Sequence, residues 1–302
     1  MVDITTKIAN IQLKNPTILA SGIMDEDAGT IKRIINSGAA AIVTKSIGLT
    51  AKEGYPNPTV IELKHGILNA MGLPNPGIEN YREEITQLTN QKTPIISSIY
   101  AKNTKEFKIL AKKMQDYNVD AIELNLSCPH AKHYGLEIGS EPKNVKKITN
   151  EVKQITKIPI FVKLSPNVTN IIKLAQSAQE GGADAIVAIN TVKAMKINLT
   201  LKMPILSNQI GGYSGEAIKP IGIRCVYEIA KNTEIPIIGV GGITTGEDAI
   251  EYLMAGASAV QIGSGVYYEG IDVFTKVCTE IKKWMKQNNY NKLSEIVGVV
   301  HK

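Results

Sequence analysis

The sequence predicts a (β/α)8 barrel, and three observations carry that prediction. Eight short runs rich in β-branched residues recur along the chain, amphipathic stretches separate most of them, and nearly every run ends in polar or glycine residues. The runs lie at 16–22 (PTILASG), 40–46 (AAIVTKS), 94–100 (PIISSIY) and 121–127 (AIELNLS), then at 159–165 (PIFVKLS), 185–191 (AIVAINT), 236–242 (PIIGVGG) and 259–265 (AVQIGSG). Strands alternating with helices pair in parallel through right-handed crossovers. Eight of them in about 250 residues is the count of a closed barrel. An open doubly wound sheet would carry a GxGxxG turn after its first strand, and this chain has none there. The whole chain, 1–302, reads as a single barrel domain with long loops on its active face.

The intervening segments fit the same frame. Residues 104–118 (TKEFKILAKKMQDYN) and 169–182 (TNIIKLAQSAQEGG) are amphipathic, and Gly181-Gly182 forms a helix stop. Two excursions interrupt the alternation. Residues 49–80 contain EGYPNPTVIELKHGILNAMGLPNPG and residues 193–222 contain MPILSNQIGGYSGEAIKP. Loops of that length in a compact domain are usually functional or disordered. Both follow strands, so both are expected over the active face, walling or covering it.

Composition narrows the setting. The chain has 302 residues, 43% of them hydrophobic, with aromatics at 5% and a net charge of +6. Its lysines are scattered, unlike the continuous basic stripe of a nucleic-acid binder. Cys128, Cys225 and Cys278 are far apart and form no CxxC pair, which fits a reducing, intracellular setting. The N-terminus has an early Asp3 and no apolar run, and no stretch approaches the roughly 20 apolar residues of a membrane span. The expected location is the cytoplasm.

The strand ends supply the chemistry. In a barrel the C-terminal strand ends converge on one face, where active sites are built. Gly241-Gly242 and Gly263-Ser264-Gly265 follow the last two strands, where glycines let backbone N–H groups approach a phosphate. Lys45 and Lys163 sit at strand ends, and an inward lysine is costly unless it meets a charge or a polar ligand. Asn69, Asn125 and Asn190 both donate and accept hydrogen bonds, which suits a cyclic amide or urea. Together they describe a planar, polar, anionic ligand. Cys128 reads either as a small core hydrophobe or as a thiol at the rim, and Pro129 ends the strand beside it. Zinc on Cys128, His130 and His133 lacks the paired second cluster of a structural site, so no metal is expected. Cys225 and Cys278 fall in helical segments and read as core.

NLSCPH, TKSIG, ILNAMGLPNPG, VKLSPNVT, AINT, GGYSG, GVGGI and IGSG together resemble the dihydroorotate dehydrogenases, with the class 1B catalytic subunit the closest match in wording. The resemblance runs from about residue 4 past residue 270. It implies an FMN-holding (β/α)8 barrel that oxidises (S)-dihydroorotate to orotate in pyrimidine (UMP) biosynthesis. By it, Cys128 is the base that removes the C5 proton while hydride leaves C6. Substrate contacts are implied for Lys45, Asn69, Ala70, Met71, Gly72, Leu73, Asn125, Asn190 and Thr191. FMN contacts are implied for Ser21, Lys45, Ser46, Ser98, Asn125, Lys163, Ile189, Gly215, Gly241, Gly242, Gly263 and Ser264. Segment 129–140, with Gly135 and Gly139 as hinges, resembles a lid. Two positions depart from the family: Ser98 stands where Asn is usual, and Thr59 where Arg is usual.

The resemblance also implies an electron exit. The chain has no second nucleotide fingerprint and no cysteine cluster for an iron–sulfur centre. Class 1B enzymes pass electrons to NAD through a partner subunit with FAD and [2Fe–2S], in an assembly of two catalytic and two partner chains. The alternatives are a fumarate-reducing class 1A enzyme, a tRNA dihydrouridine synthase-like FMN barrel, or a non-enzymatic flavin or phosphate binder. Only residues 266–302 follow the last run, short of the helical domain a tRNA-modifying relative carries.

Overall fold

The computed structural model describes residues 2–89, 91–127 and 136–302. All eight runs are strands: β1 (Thr17–Leu19), β2 (Ala41–Val43), β3 (Ile95–Ile99), β4 (Ala121–Asn125), β5 (Ile160–Leu164), β6 (Ala185–Ala188), β7 (Ile237–Val240) and β8 (Ala259–Ile262). Each pairs in parallel with the next, and β8 returns to β1, so the sheet closes. Most strands stop before the polar tips of the predicted runs. Those tips have left the ladder and form the loops of the site.

Alternation along the strands sorts side chains between two cores. Ile18, Val43, Ile96, Ala121, Phe161, Val187, Ile238 and Ala259 point into the barrel and pack together. The intervening Leu19, Ile42, Ile95, Ile122, Leu124, Val162, Ile186 and Val260 pack outward with the helices. An N-terminal hairpin, Thr6–Ile8 with Ile11–Leu13, joins the interior cluster through Ile8, Ile11 and Leu13. It closes the end of the barrel opposite the strand tips.

The outer ring comprises α1 (Ala28–Asn36), α2 (Arg82–Thr86), α3 (Thr104–Asp116), α4 (Pro142–Lys153), α5 (Ile171–Glu180), α6 (Lys219–Ala230), α7 (Gly246–Met254) and α8 (Val273–Gln287). Four starts are capped by short polar side chains. Asp27, Asn103 and Asn170 accept from Thr30 N, Glu106 N and Lys173 N, and Thr245 forms a reciprocal box with Asp248. The expected stop of α5 holds: Gly181 caps it, and Gly182 takes φ +90°, a conformation suited to glycine.

The two excursions differ from loops. Val60–Leu63, Gly66–Asn69, Gly211–Ser214 and Val192–Ala194 form one antiparallel four-stranded sheet, in which the first excursion pairs with the second through Gly212↔Asn69, Tyr213↔Leu68 and Ser214↔Ile67. The sheet has its own small core of Leu68, Ala70 and Leu206. Period-two patterning in TVIELKHGILN is compatible with a hairpin. Its third strand comes from a segment about 145 residues away, a pairing no local pattern encodes. Among the described residues, no helix is long and apolar enough to cross a membrane.

Candidate active site

The strand tips, the β1 and β2 loops and the excursion sheet enclose a cavity of about 580 Å³. That is an ordinary size for a small-molecule site. Interior-facing Lys45, Asn125 and Lys163 reach it, because each continues the inward register of its strand. Ile67 and Asn69 turn toward it from the excursion sheet, while the alternating Leu68 and Ala70 face the sheet's own core.

A chain of hydrogen bonds runs around its polar side. Asn125 Nδ2 donates to Ser46 Oγ at 3.0 Å, and Ser46 Oγ lies 2.8 Å from Ser98 Oγ and 3.4 Å from Ser21 Oγ. Asn125 Oδ1 accepts from Ser127 N and Oγ at 3.2 and 2.9 Å, and Asn190 Nδ2 donates to Ser127 Oγ at 2.8 Å. The tips of five strands, β1, β2, β3, β4 and β6, therefore fix one another, so the side chains facing a ligand are pre-set.

Each lysine of the site has a carboxylate partner. Lys45 Nζ meets Glu26 Oε1 at 2.8 Å. Lys163, only 5% exposed, faces Glu123 and Gln261. Asp25, 1% exposed, accepts from Gly22 N at 2.5 Å and turns the β1 loop. Burial pushes its carboxyl up to about 6, against the lowering pull of the Gly22 N–H and Lys45. Under the glycine loops, burial would raise Asp248, but bonds from Lys219 and from the Thr244 and Thr245 N–H groups hold it below the usual carboxylate range.

The glycine positions suit a close anion. Gly241 and Gly242 take φ +133° and +69°. A Cβ on Gly242 would lie 2.7 Å from Gly215 O and 2.9 Å from Lys219 Cβ, so a side chain there would break the loop. A Cβ on Gly263 would meet only Ala20, at 3.5 Å, which leaves its other side to the cavity. A phosphate-bearing planar ligand with polar ring edges fits these walls.

Of the residues expected at the site, Ser21, Lys45, Ser46, Asn69, Met71, Gly72, Leu73, Asn125, Lys163, Ile189, Asn190, Thr191, Gly241, Gly242, Gly263 and Ser264 line this cavity. Ala70 is buried in the excursion core, Ser98 is buried behind Ser46, and Gly215 sits behind Gly242 without lining the cavity. Thr59 receives Ala70 N on its carbonyl at 2.8 Å, an excursion-sheet contact. Cys128 and residues 129–135 lie outside the described residues. Gly139 packs on Leu126, where an added Cβ would meet the carbonyl oxygen. No group of three or more metal-ligating side chains occurs among the described residues.

Sequence reasoning missed several contributors. Asn75 locks the LPNPG turn: its Oδ1 accepts from Gly48 N and Gly77 N, and its Nδ2 donates to Leu73 O and Tyr100 Oη. Asn167 ties the β5 and β6 loops by donating to Thr191 O at 2.9 Å and accepting from Lys193 N at 2.8 Å. Asp25, Glu123 and Gln261 were also overlooked. For the last two a signal existed, since Ala121-Glu123-Asn125 and Ala259-Gln261-Gly263 share an inward register.

Comparison with known proteins agrees with this geometry. The family model for Dihydroorotate dehydrogenase matches residues 3–285. The chain is 55% identical over 300 residues to a protein of Methanocaldococcus jannaschii, covering 98% of this chain and 97% of that one. It is 53% identical over 302 residues to one of Thermoplasma volcanium, covering 100% of both, and 49% identical over 292 residues to one of Pyrococcus abyssi, covering 97% of both. All three relatives are named Dihydroorotate dehydrogenase B (NAD(+)), catalytic subunit. A parallel eight-stranded barrel, a cavity at its strand tips and this full-length match together make the chain a member of the dihydroorotate dehydrogenase family of oxidoreductases.

Proposed function

We propose that this chain is the catalytic subunit of an NAD-linked dihydroorotate dehydrogenase, oxidising (S)-dihydroorotate to orotate on bound FMN for UMP biosynthesis. The observation that carries the reading is the convergence of Lys45, Asn69, Asn125, Lys163 and Asn190 on one cavity that also holds the glycine tips of β7 and β8. Gly241, Gly242, Gly263 and Ser264 would hold the FMN phosphate, and Ser21, Ser46, Asn125 and Lys163 its ring edges. When bound, FMN supplies the hydride acceptor that no side chain provides.

The chain's own residues orient the substrate and move a proton. Asn69 and Asn190 offer both donors and acceptors to the cyclic amide edges of dihydroorotate, and Lys45 offers its carboxylate a cation. Cys128, three residues beyond the end of β4, is the base for the C5 proton. A thiol of ordinary pKa, about 8.5, is mostly protonated at neutral pH, so turnover rises toward alkaline pH. The Lys163 ammonium stabilises negative charge that develops at the cavity floor. Electrons leave to NAD through a partner subunit carrying FAD and [2Fe–2S], in an assembly of two catalytic and two partner chains. The "catalytic subunit" in the relatives' names supports a partner.

Anaerobic titration of the purified FMN-loaded chain with dihydroorotate tests the reading. Stoichiometric bleaching of the flavin band is expected. Cys128→Ala should retain the yellow colour while its bleaching rate falls by about 10²–10⁴-fold, the usual share of a general base. A yellow wild-type protein that dihydroorotate leaves oxidised would overturn the substrate assignment, and failure to take up FMN would overturn the cofactor assignment.

A further inference from the structure

Below the polar strand tips, the largely apolar barrel interior buries a carboxylate. Glu123 on β4 is fully excluded from solvent and does not line the cavity, whereas Lys163 on β5 and Gln261 on β8 do. Gln261 Nε2 donates to Glu123 Oε2 at 2.8 Å, and Lys163 Nζ donates to Gln261 Oε1 at 3.3 Å. Glu123 Oε1 takes no hydrogen bond among the described residues and faces Lys163 Nζ at 3.5 Å. The Gln261 amide thus turns its donor to the carboxylate and its acceptor to the ammonium, closing a triangle across three strands.

A carboxylate at this depth is expensive to keep. The neighbouring inward positions use Ala121, Phe161, Val187 and Ile238, so the barrel has an apolar alternative at hand. The triangle has one outlet. Two oxygens face the Lys163 ammonium, Gln261 Oε1 and Glu123 Oε1, which leaves its third hydrogen for an acceptor in the cavity. Beside it, β4 contributes Asn125, β6 contributes Val187 and the residue after β6 is Ile189, none of which titrates. The other charged groups lining the cavity, among the described residues, are Lys45, Glu26 and Asp25 from the β1 and β2 loops, and Lys45 and Glu26 already pair. Tyr267 is the remaining titratable group on its walls.

We propose that Glu123 is a positioning residue for the reaction: it is the counter-ion that holds the Lys163 ammonium aimed at the cavity floor, so a fixed positive charge meets the negative charge that develops there. The proposal rests on the flavin reading above for its consequence and on the triangle for its cause. Without Glu123, the desolvated ammonium loses its counter-ion and the pairing that aims it. The negative charge of a reduced flavin then loses the cation opposite it.

The test is a two-residue cycle read in two ways. Midpoint potentials of the FMN-loaded protein are measured for wild type, Glu123→Gln, Lys163→Met and the double variant. Glu123→Gln is expected to lower the reduced-to-oxidised ratio at a fixed poise about tenfold, ~30 mV for a two-electron couple. Lys163→Met should do the same, and the double variant should go no further. A raised or unchanged potential in Glu123→Gln, or additive shifts in the double variant, would overturn the proposal.

Thermal melting of the flavin-free proteins is the second readout. Lys163→Met strands the carboxylate and should melt below wild type, and adding Glu123→Gln should recover part of the loss. A double variant that melts no higher than Lys163→Met would equally overturn the coupling. This comparison decides even if Glu123→Gln alone fails to accumulate. Should the wild-type chain take up no FMN, the cofactor reading fails, and the melting cycle still judges the pair.

Discussion

Two buried aspartates beside the cavity are displaced in opposite directions, and each controls a loop. Asp25 holds the β1 loop through Gly22 N, and its backbone carbonyl accepts from Tyr81 Oη at 3.1 Å. Burial raises its pKa from 3.8 to about 6. The folded state therefore binds more protons than the unfolded state between those values, and Asp25 removes stability as pH rises through that window. Asp248 is lowered, so its contribution is present above the ordinary carboxylate pKa and is lost as pH falls. Asp25→Asn keeps an oxygen for Gly22 N while deleting the charge. Denaturant unfolding should find it more stable than wild type by up to about 3 kcal/mol above pH 6, with the difference vanishing near pH 4. A difference independent of pH would show that Asp25 does not titrate in this range.

The excursion sheet decides how the cavity is walled. Its central contact is so close that a Cβ on Gly66 would lie 2.2 Å from Ser214 O and 2.7 Å from the Tyr213 ring. Ser214 O is main chain and cannot swing aside, so Gly66→Ala must part the two excursions locally. Overpacking of this kind costs about 1–3 kcal/mol. Because Ile67, Asn69 and Ser214 on these strands face the cavity, the damage should reach binding as well as stability. The expected result is a lower Tm together with a raised KM for dihydroorotate and a smaller change in kcat. An unchanged KM would mean that the sheet is a cover without a role in holding substrate.

For the whole molecule, the cavity joins loops from opposite sides of the barrel, so a ligand there bridges the structure. Under the proposed cofactor assignment, FMN at 100 times its dissociation constant should add about 2.7 kcal/mol to the stability of the fold. Calorimetry of flavin-free and flavin-loaded protein checks this: Tm should climb with the logarithm of FMN concentration. A Tm insensitive to FMN would count against a cofactor lodged between these loops.

The order of strands and helices was written into the chain, because alternation and capping are local. PIFVKLS and AIVAINT announce buried parallel strands, Gly181-Gly182 announces a helix stop, and the polar tips mark the functional face. Inward lysines and paired glycines at strand ends were equally readable, since an isolated lysine or a Gly-Gly at that place needs a chemical reason. What stayed hidden depends on contacts between distant segments. The pairing of Ile67 with Ser214, the seat of Asn75 among Gly48, Gly77 and Tyr100, and the burial that raises Asp25 are all set by how far-separated pieces meet. Glu123 lies between the two cases. Its inward register follows from the alternation of β4, but its partners on β5 and β8 come together only when the barrel closes, and closure is what turns a costly buried carboxylate into the counter-ion of Lys163.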